Sequence, residues 1–466
     1  MKNTKKLLVI TLASLALSSC VREGEKSSSA SSSIAESSSS EEASSSEVES
    51  KLPYNQEVNV FSYSFPQLGK TTMPIGAWCA PWAVGDVDHQ TEEQYALVKE
   101  SGLNTIYGLY EEAAGSLTNV KKGLQLAADN DLVYLARDSR VGALSEDTEL
   151  LKEKIGELAA YSSYGGAFVT DEPGQSKFAG LVSGRKAFRQ YYSKYLYYAN
   201  LFPNYATVDQ LSGTTGVEIT YEEYLRSYLE TVQPQILSFD FYGMRSKGTE
   251  VSSGYYEQLY ICSKLANEYK VPFWPFIQAC TFSGGTRVPT RTDILWQVGS
   301  NLVYGAKGIQ YFCYMEPYET SGWEGNFVDR NGKKTALFPY FQEANAQIAN
   351  MDEILMVSSK VAMMQFGESP APFNEEEKKT FVTSCRELSS VDTSSDLLIG
   401  VYDHGGKSAY YVFNNSLTEE GSATLNFSSY VRANVYEDAN KREEKGEKLT
   451  LTLEPGESIL VDLLNY

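Results

Sequence analysis

Two carboxylates, Asp171 and Glu172, directly follow the apolar run Tyr-Gly-Gly-Ala-Phe-Val-Thr at 164–170 and directly precede Pro173 and Gly174. The run has the character of a buried strand. Proline cannot donate to a ladder and glycine permits a tight turn, so the strand must end on the two acids. Adjacent acids at a strand end can do general acid/base work on a glycosidic bond, with one protonating the leaving oxygen and another acting as nucleophile or base. They could instead cap a following helix, because acids gather at helix starts. Other apolar runs also end on acids: Asp138 after 132–136, Asp209 after 205–208, Asp240 within 236–241, and Glu316 after 309–315. Only two histidines exist, His89 and His404, which leaves little material for a histidine zinc site or a Ser-His-Asp triad. No metal or organic cofactor is expected.

A parallel α/β barrel sets its catalytic groups at the C-terminal lips of its strands, and the sequence supplies the units for one. Strands are predicted at 74–81, 104–109, 132–136, 164–172, 205–208, 236–241, 272–279 and 309–315. Between them, 3.6-residue spacing predicts helices from Thr91, at 117–130, 146–161, 180–200, 221–232, 252–269 and 290–304, and after the last strand near 339–351. Thr-Glu-Glu-Gln at 91–94 reads as a capping box. Eight such pairs predict a (β/α)8 TIM barrel over 53–352. Beyond it, short alternating strands at 396–402, 409–414, 423–427, 433–436, 449–453 and 458–463 predict an all-β sandwich domain over 353–466.

The N-terminus has a basic head (Lys2, Lys5, Lys6), an apolar run from Leu7 to Leu17, and then Ser18-Ser19-Cys20. That run is too short to cross a bilayer and reads as a signal peptide over 1–19. Leu-Ser-Ser-Cys resembles a bacterial lipobox, which implies cleavage before Cys20 and a lipid on its thiol. From 27 to 50, 14 of 24 residues are serine, so 20–52 cannot form a core and is expected to be a flexible tether. At about 30 residues it would average roughly 30 Å end to end. The protein is therefore expected on the extracellular face of the cell membrane, held through Cys20. Loss of three lysines with the signal takes the net charge from −20 to −23, which disfavours nucleic acid as a partner. Cys79, Cys262, Cys280, Cys313 and Cys385 match no metal spacing, and their odd number argues against a disulfide scaffold.

Aromatic residues crowd the predicted lips: Trp78 and Trp82 after the first strand, Tyr242 after the sixth, Trp274 in the seventh, Tyr311 and Tyr314 in the eighth, and Trp323 beyond it. Flat sugar faces stack on such rings while hydroxyls bond carboxylates and amides, so a carbohydrate is the expected partner, although several of these rings, above all Trp274 and Tyr311 in mid-strand, equally suit the core.

The order of a Gly-Ala-Trp strand, a Thr-Asp-Glu-Pro strand, Pro-Phe-Trp-Pro-Phe-Ile-Gln-Ala, Arg-Val-Pro-Thr and Tyr-Gly-Ala-Lys-Gly-Ile-Gln-Tyr-Phe resembles clan A glycoside hydrolases over roughly 70–350. The β-rich tail is similar to the C-terminal sandwiches those enzymes often carry. The resemblance implies an acid/base at Glu172. It also implies a nucleophile at the end of the seventh strand, where this chain has Gln278, an amide that cannot attack. The second carboxylate is then expected to be Asp240 or Glu316. Otherwise the protein binds glycans without cleaving them. Glu172, raised by aromatic surroundings or by Asp171, would protonate the leaving oxygen. Trp78, Trp82, Asp138, Asp209, Tyr242, Trp274, Gln278, Tyr314 and Trp323 are the expected substrate contacts, with Asp138 and Asp209 orienting a hydroxyl or pairing with a neighbour such as Arg137.

Overall fold

A computed structural model describes residues 61–109, 117–245, 251–282, 285–367 and 375–464. The expected signal peptide, the lipidation site Cys20 and the tether lie outside the described residues. Eight parallel strands close into a barrel: β1 (Ile75–Ala77), β2 (Thr105–Gly108), β3 (Val133–Arg137), β4 (Tyr164–Asp171), β5 (Leu196–Leu201), β6 (Leu237–Asp240), β7 (Phe273–Gln278) and β8 (Ile309–Phe312). Each pairs with its neighbour in sequence, and β8 returns to β1 with Ile309 opposite Ile75.

Around the barrel run α1 (Glu92–Glu100), α2 (Thr118–Asp129), α3 (Thr148–Ala159), α4 (Phe178–Tyr192), α5 (Tyr221–Val232), α6 (Tyr255–Tyr269), α7 (Arg291–Val303) and α8 (Phe338–Leu355). Local chemistry fixes their starts. Thr91 accepts from the Gln94 N–H, and full capping boxes, Thr220 with Glu223 and Thr290 with Asp293, open α5 and α7. Among the described residues no helix is long and apolar enough to cross a membrane.

One strand is not where the sequence places it. The helix predicted over 180–200 stops at Tyr192, and the fifth strand is Leu196–Leu201 rather than 205–208. Its residues Leu-Tyr-Tyr-Ala-Asn-Leu are all buried, so tertiary burial overrides a run with no glycine or proline to mark the change of period.

The barrel's interior is polar at its centre and satisfied there. Gln310 Oε1 accepts from Tyr107 Oη at 2.5 Å and Tyr198 Oη at 2.7 Å, while its Nε2 donates to Ser238 Oγ at 3.0 Å and to the Trp274 carbonyl at 2.8 Å. All four bonds that an amide side chain can make at its O and NH2 are used. The N-terminal ends of the strands are covered by the segment before β1. Tyr63 and Phe65 pack on Trp274 at centroid distances of 5.8 Å each, and Gln67 donates to the Ser162 and Tyr164 carbonyls.

The C-terminal sheet is antiparallel: β9 (Ser359–Phe366), β10 (Leu388–Asp392), β11 (Leu397–His404), β12 (Lys407–Asn414), β13 (Gly421–Glu437), β14 (Asn440–Leu453) and β15 (Ser458–Leu463). The order is β9-β11-β12-β15-β13-β10, with β14 on β13. The two predicted strands 423–427 and 433–436 are one long strand. Its register shift against β14 between Asn426 and Val431 lets the sheet fold over its own core of Leu425, Val435, Leu451 and Val461, giving a β-sandwich. The sheet sits on α7. Trp296 Nε1 donates to the Asn415 carbonyl at 3.0 Å, and a Cβ on Gly299 would come within 2.5 Å of the Phe413 ring.

Candidate active site

Asp171 closes β4, and Glu172 turns away from it with φ +44, a left-handed conformation that is uncommon for any residue but glycine. The turn is fixed from several sides. The Glu172 N–H donates to the Asn200 carbonyl at 2.9 Å, the Pro173 carbonyl accepts from Tyr224 Oη at 2.8 Å, and a Cβ on Gly174 would lie 2.6 Å from Gly213 Cα. Strain held in this way by its surroundings is characteristic of functional sites.

Asn200, the fifth residue of β5, organises the acids. Its side-chain nitrogen donates to Asp171 Oδ1 and to Asp240 Oδ1, both at 3.3 Å, and its oxygen accepts from Ser238 Oγ at 3.0 Å. Two carboxylates therefore share one amide. Asp240 is 5 % exposed and also accepts from the Tyr242 hydroxyl. Asp171 is wetted from the open end but crowded by protein elsewhere, and Glu172 is half-buried.

The resulting electrostatics follow from crowding like charges in a cleft. Burial raises Glu172 well above the usual carboxylate range, and the charges of Asp240 and Asp171 add to it. Asp240 is raised by burial and then by Asp171, against the opposing bonds from Asn200 and Tyr242. Burial also raises Asp171, and the Asn200 bond and the Arg137 charge only partly offset it. Three acids this close cannot all ionise together, so at neutral pH the cluster retains protons.

An aromatic wall adjoins the acids through Tyr242. Its ring lies 5.0 Å from Phe282 and 5.1 Å from Phe312, and Trp323 lies 5.9 and 5.5 Å from the same two rings. Trp78 continues the wall, 6.3 Å from Phe312 and edge-on to Phe168 and Phe276. Trp323, Phe282 and Phe312 are partly exposed. On the other side Tyr205, 44 % exposed, accepts from the Tyr242 N–H, and its hydroxyl feels the charges of Asp240 and Glu172.

The mouth thus brings together Asp171, Glu172, Asp240, Trp78, Tyr242 and Trp323 from the expected set. It does not gather the rest. Glu316 is taken up in its own loop, accepting from the Trp323 N–H at 3.1 Å and pairing with Arg330 at 3.6 Å. Asp138 is buried in a two-bond ion pair with Arg140, so its alternative use, pairing with a neighbour, is the one realised. Asp209 ends no strand. It lies exposed in the short helix Val208–Ser212 and accepts from the Gly216 N–H, a direct result of the shifted fifth strand.

Gln278 is fully buried and braces two loops, with Oε1 accepting from the Met244 N–H at 3.2 Å and Nε2 donating to the Arg287 carbonyl at 2.9 Å. Trp274 belongs to the closed end of the barrel. Tyr314, two residues past β8, is buried against Phe327, and Tyr311 of β8 faces α8, where its hydroxyl donates to Asn345. Trp82 is 3 % exposed, its Nε1 bonded to the Glu316 carbonyl, so it shapes the rim without lining it. Asn200, Phe282 and Phe312 were not anticipated. A polar residue near the end of an all-apolar strand would have signalled Asn200, had the strand been placed.

No known protein family matches the sequence, and no curated protein matches it. Among solved structures, the chain is similar in fold to a glycoside hydrolase family 5 protein from Bacteroides vulgatus, at 10 % identity and TM-score 0.49, over 84 % of this chain and 90 % of that one. An α-L-arabinofuranosidase from Thermotoga maritima matches at 9 % identity and TM-score 0.47, over 84 % and 96 %. A glucosidase from Croceicoccus marinus matches at 8 % identity and TM-score 0.45, over 85 % and 96 %.

Proposed function

We propose that the chain hydrolyses O-glycosidic bonds of a poly- or oligosaccharide, working at the extracellular face of the membrane from a lipid anchor on Cys20. The observation that carries this reading is the single Asn200 amide shared by Asp171 and Asp240, with Glu172 against both. Glu172, the neutral member at working pH, protonates the leaving oxygen. Asp171 and Asp240 hold charge between them through Asn200, and the ionised member attacks the anomeric carbon or activates water. The aromatic wall offers the apolar faces on which sugar rings stack. Glu172→Gln is expected to lower release of reducing ends by at least about a hundredfold, and undiminished turnover would remove Glu172 from this role.

A second reading, a surface protein that binds glycans on the same barrel without cleaving them, draws on Gln278. At the end of β7, where the resemblance implies a nucleophile, the chain carries a buried structural amide. Oligosaccharide panels scored for both binding and new reducing ends separate the two readings, since capture without release favours the second.

A further inference from the structure

The chain has 60 acidic residues against 40 basic ones, so a guanidinium within it has no shortage of carboxylates to bind. Arg140, Arg226, Arg287, Arg291 and Arg386 are each half-buried or buried, and each pairs with one. Arg185, likewise half-buried and without an ion pair among the described residues, donates instead to the Gln233 carbonyl among the outer helices. That leaves Arg137 and Arg245, also half-buried and without an ion pair among the described residues. Both stand at the mouth. Arg137 ends β3, beside Asp171, and its hydrogen bond is a long one, 3.5 Å to the Leu109 carbonyl. Arg245 follows β6. Its Nε donates to Ser252 Oγ at 2.6 Å, and its guanidinium carbon lies 6.0 Å from the centroid of the half-exposed Tyr205 ring. In strand order the two arginines bracket the acids of β4 and β6.

We propose that the mouth takes an anionic glycan, bearing carboxylates or sulfate esters, and that Arg137 and Arg245 each hold one negative group on either side of the scissile bond. Planar guanidiniums with free terminal N–H groups suit the paired oxygens of such groups. Tyr205, braced by Arg245, presents the sugar-stacking face of that flank. The acids do not forbid this. Because burial and mutual repulsion keep protons on the cluster, its charge at neutral pH is below its count of carboxyls, and two arginines beside it can outweigh what remains.

The inference rests on the hydrolase reading for the words "scissile bond", but its binding half stands apart, and the test separates them. Full-length protein is titrated with oligogalacturonate, with oligosaccharides of carrageenan, a sulfated galactan that carries no carboxylate, and with the carboxyl-reduced form of the first and the desulfated form of the second, while reducing ends are assayed in parallel. Preference for one charged form over its neutral counterpart is expected, weakened at least about tenfold in Arg245→Gln and in Arg137→Gln. Which charged form wins distinguishes carboxylate from sulfate. Unchanged melting temperatures in the variants tie the loss to binding. Equal or better binding of the neutral forms, or indifference of both variants, overturns the inference and leaves the hydrolase reading intact. Charged-form binding without any cleavage keeps the recognition and overturns the hydrolase. Binding of none of the four overturns the inference.

Discussion

In the C-terminal sheet Arg386 and Asp403 are both buried and bonded to each other, and Asp403 also accepts from the Gly406 N–H at 3.1 Å. At the mouth of the barrel two carboxylates share one neutral amide and a third, Glu172, stands against them, with no guanidinium bonded to any of the three among the described residues. The first arrangement neutralises buried charge with charge. The second neutralises it by retaining protons. Paired charge holds a shape, whereas acids left to push on one another keep an available proton, which a leaving oxygen needs. Within the barrel Arg287 and Asp293 tie β7's loop to α7 by charge, while Gln278 braces the same loop through the Arg287 carbonyl with an uncharged amide.

The largest expected effect comes from breaking the paired region. Arg386→Ala leaves Asp403 buried without its partner and should cost about 3 to 5 kcal/mol of stability, read by denaturant unfolding, with turnover per folded molecule unchanged. A smaller effect should follow from importing the mouth's chemistry into a brace. Gln278→Glu turns two donated bonds into repulsion against the Met244 and Arg287 carbonyls, and should cost about 2 kcal/mol without raising turnover. A gain in activity would mean that β7 supplies a catalytic position after all.

The smallest effect has the opposite sign. The mouth acids are raised in the folded state, so between their unfolded values near pH 4 and their higher folded values the native state holds more protons than the unfolded one. Stability should therefore fall as pH rises through that window. Glu172→Gln should flatten the fall and stabilise the protein at pH 7 by on the order of 1 kcal/mol, the wetted side of the cleft limiting the gain. A melting temperature that climbs with pH from 4.5 to 8 in the native protein, with no difference in the variant, would contradict the proton-holding account.

Much of this was legible in the sequence, for identifiable reasons. A buried run that stops at a proline fixes where Asp171 and Glu172 fall, and a strand pattern ending in Ser-Phe-Asp places Asp240 at a lip. Direction across the barrel wall was less legible. Tyr311 and Tyr314 look alike as rim aromatics, but strand alternation turns Tyr311 toward α8, and Tyr314, two residues past the strand's end, packs on Phe327. Asn200 was hidden because Tyr-Leu-Tyr-Tyr-Ala-Asn continues the aromatic character of α4 without a breaker, and the misplaced strand then promoted Asp209. In the sheet, the charged run Lys-Arg-Glu-Glu-Lys-Gly-Glu-Lys at 441–448 reads as a loop yet forms half of β14, where one face is open to water.

The plug that Tyr63, Phe65 and Gln67 make beneath the strands puts the start of the described chain at the pole opposite the acids. Were the proposed lipid on Cys20 to hold the protein, the leash would join the domain on the side away from the aperture and so would not lie across the opening through which polymer arrives. Moving the attachment to the other terminus would test whether that separation matters to the capture of large, slowly diffusing chains.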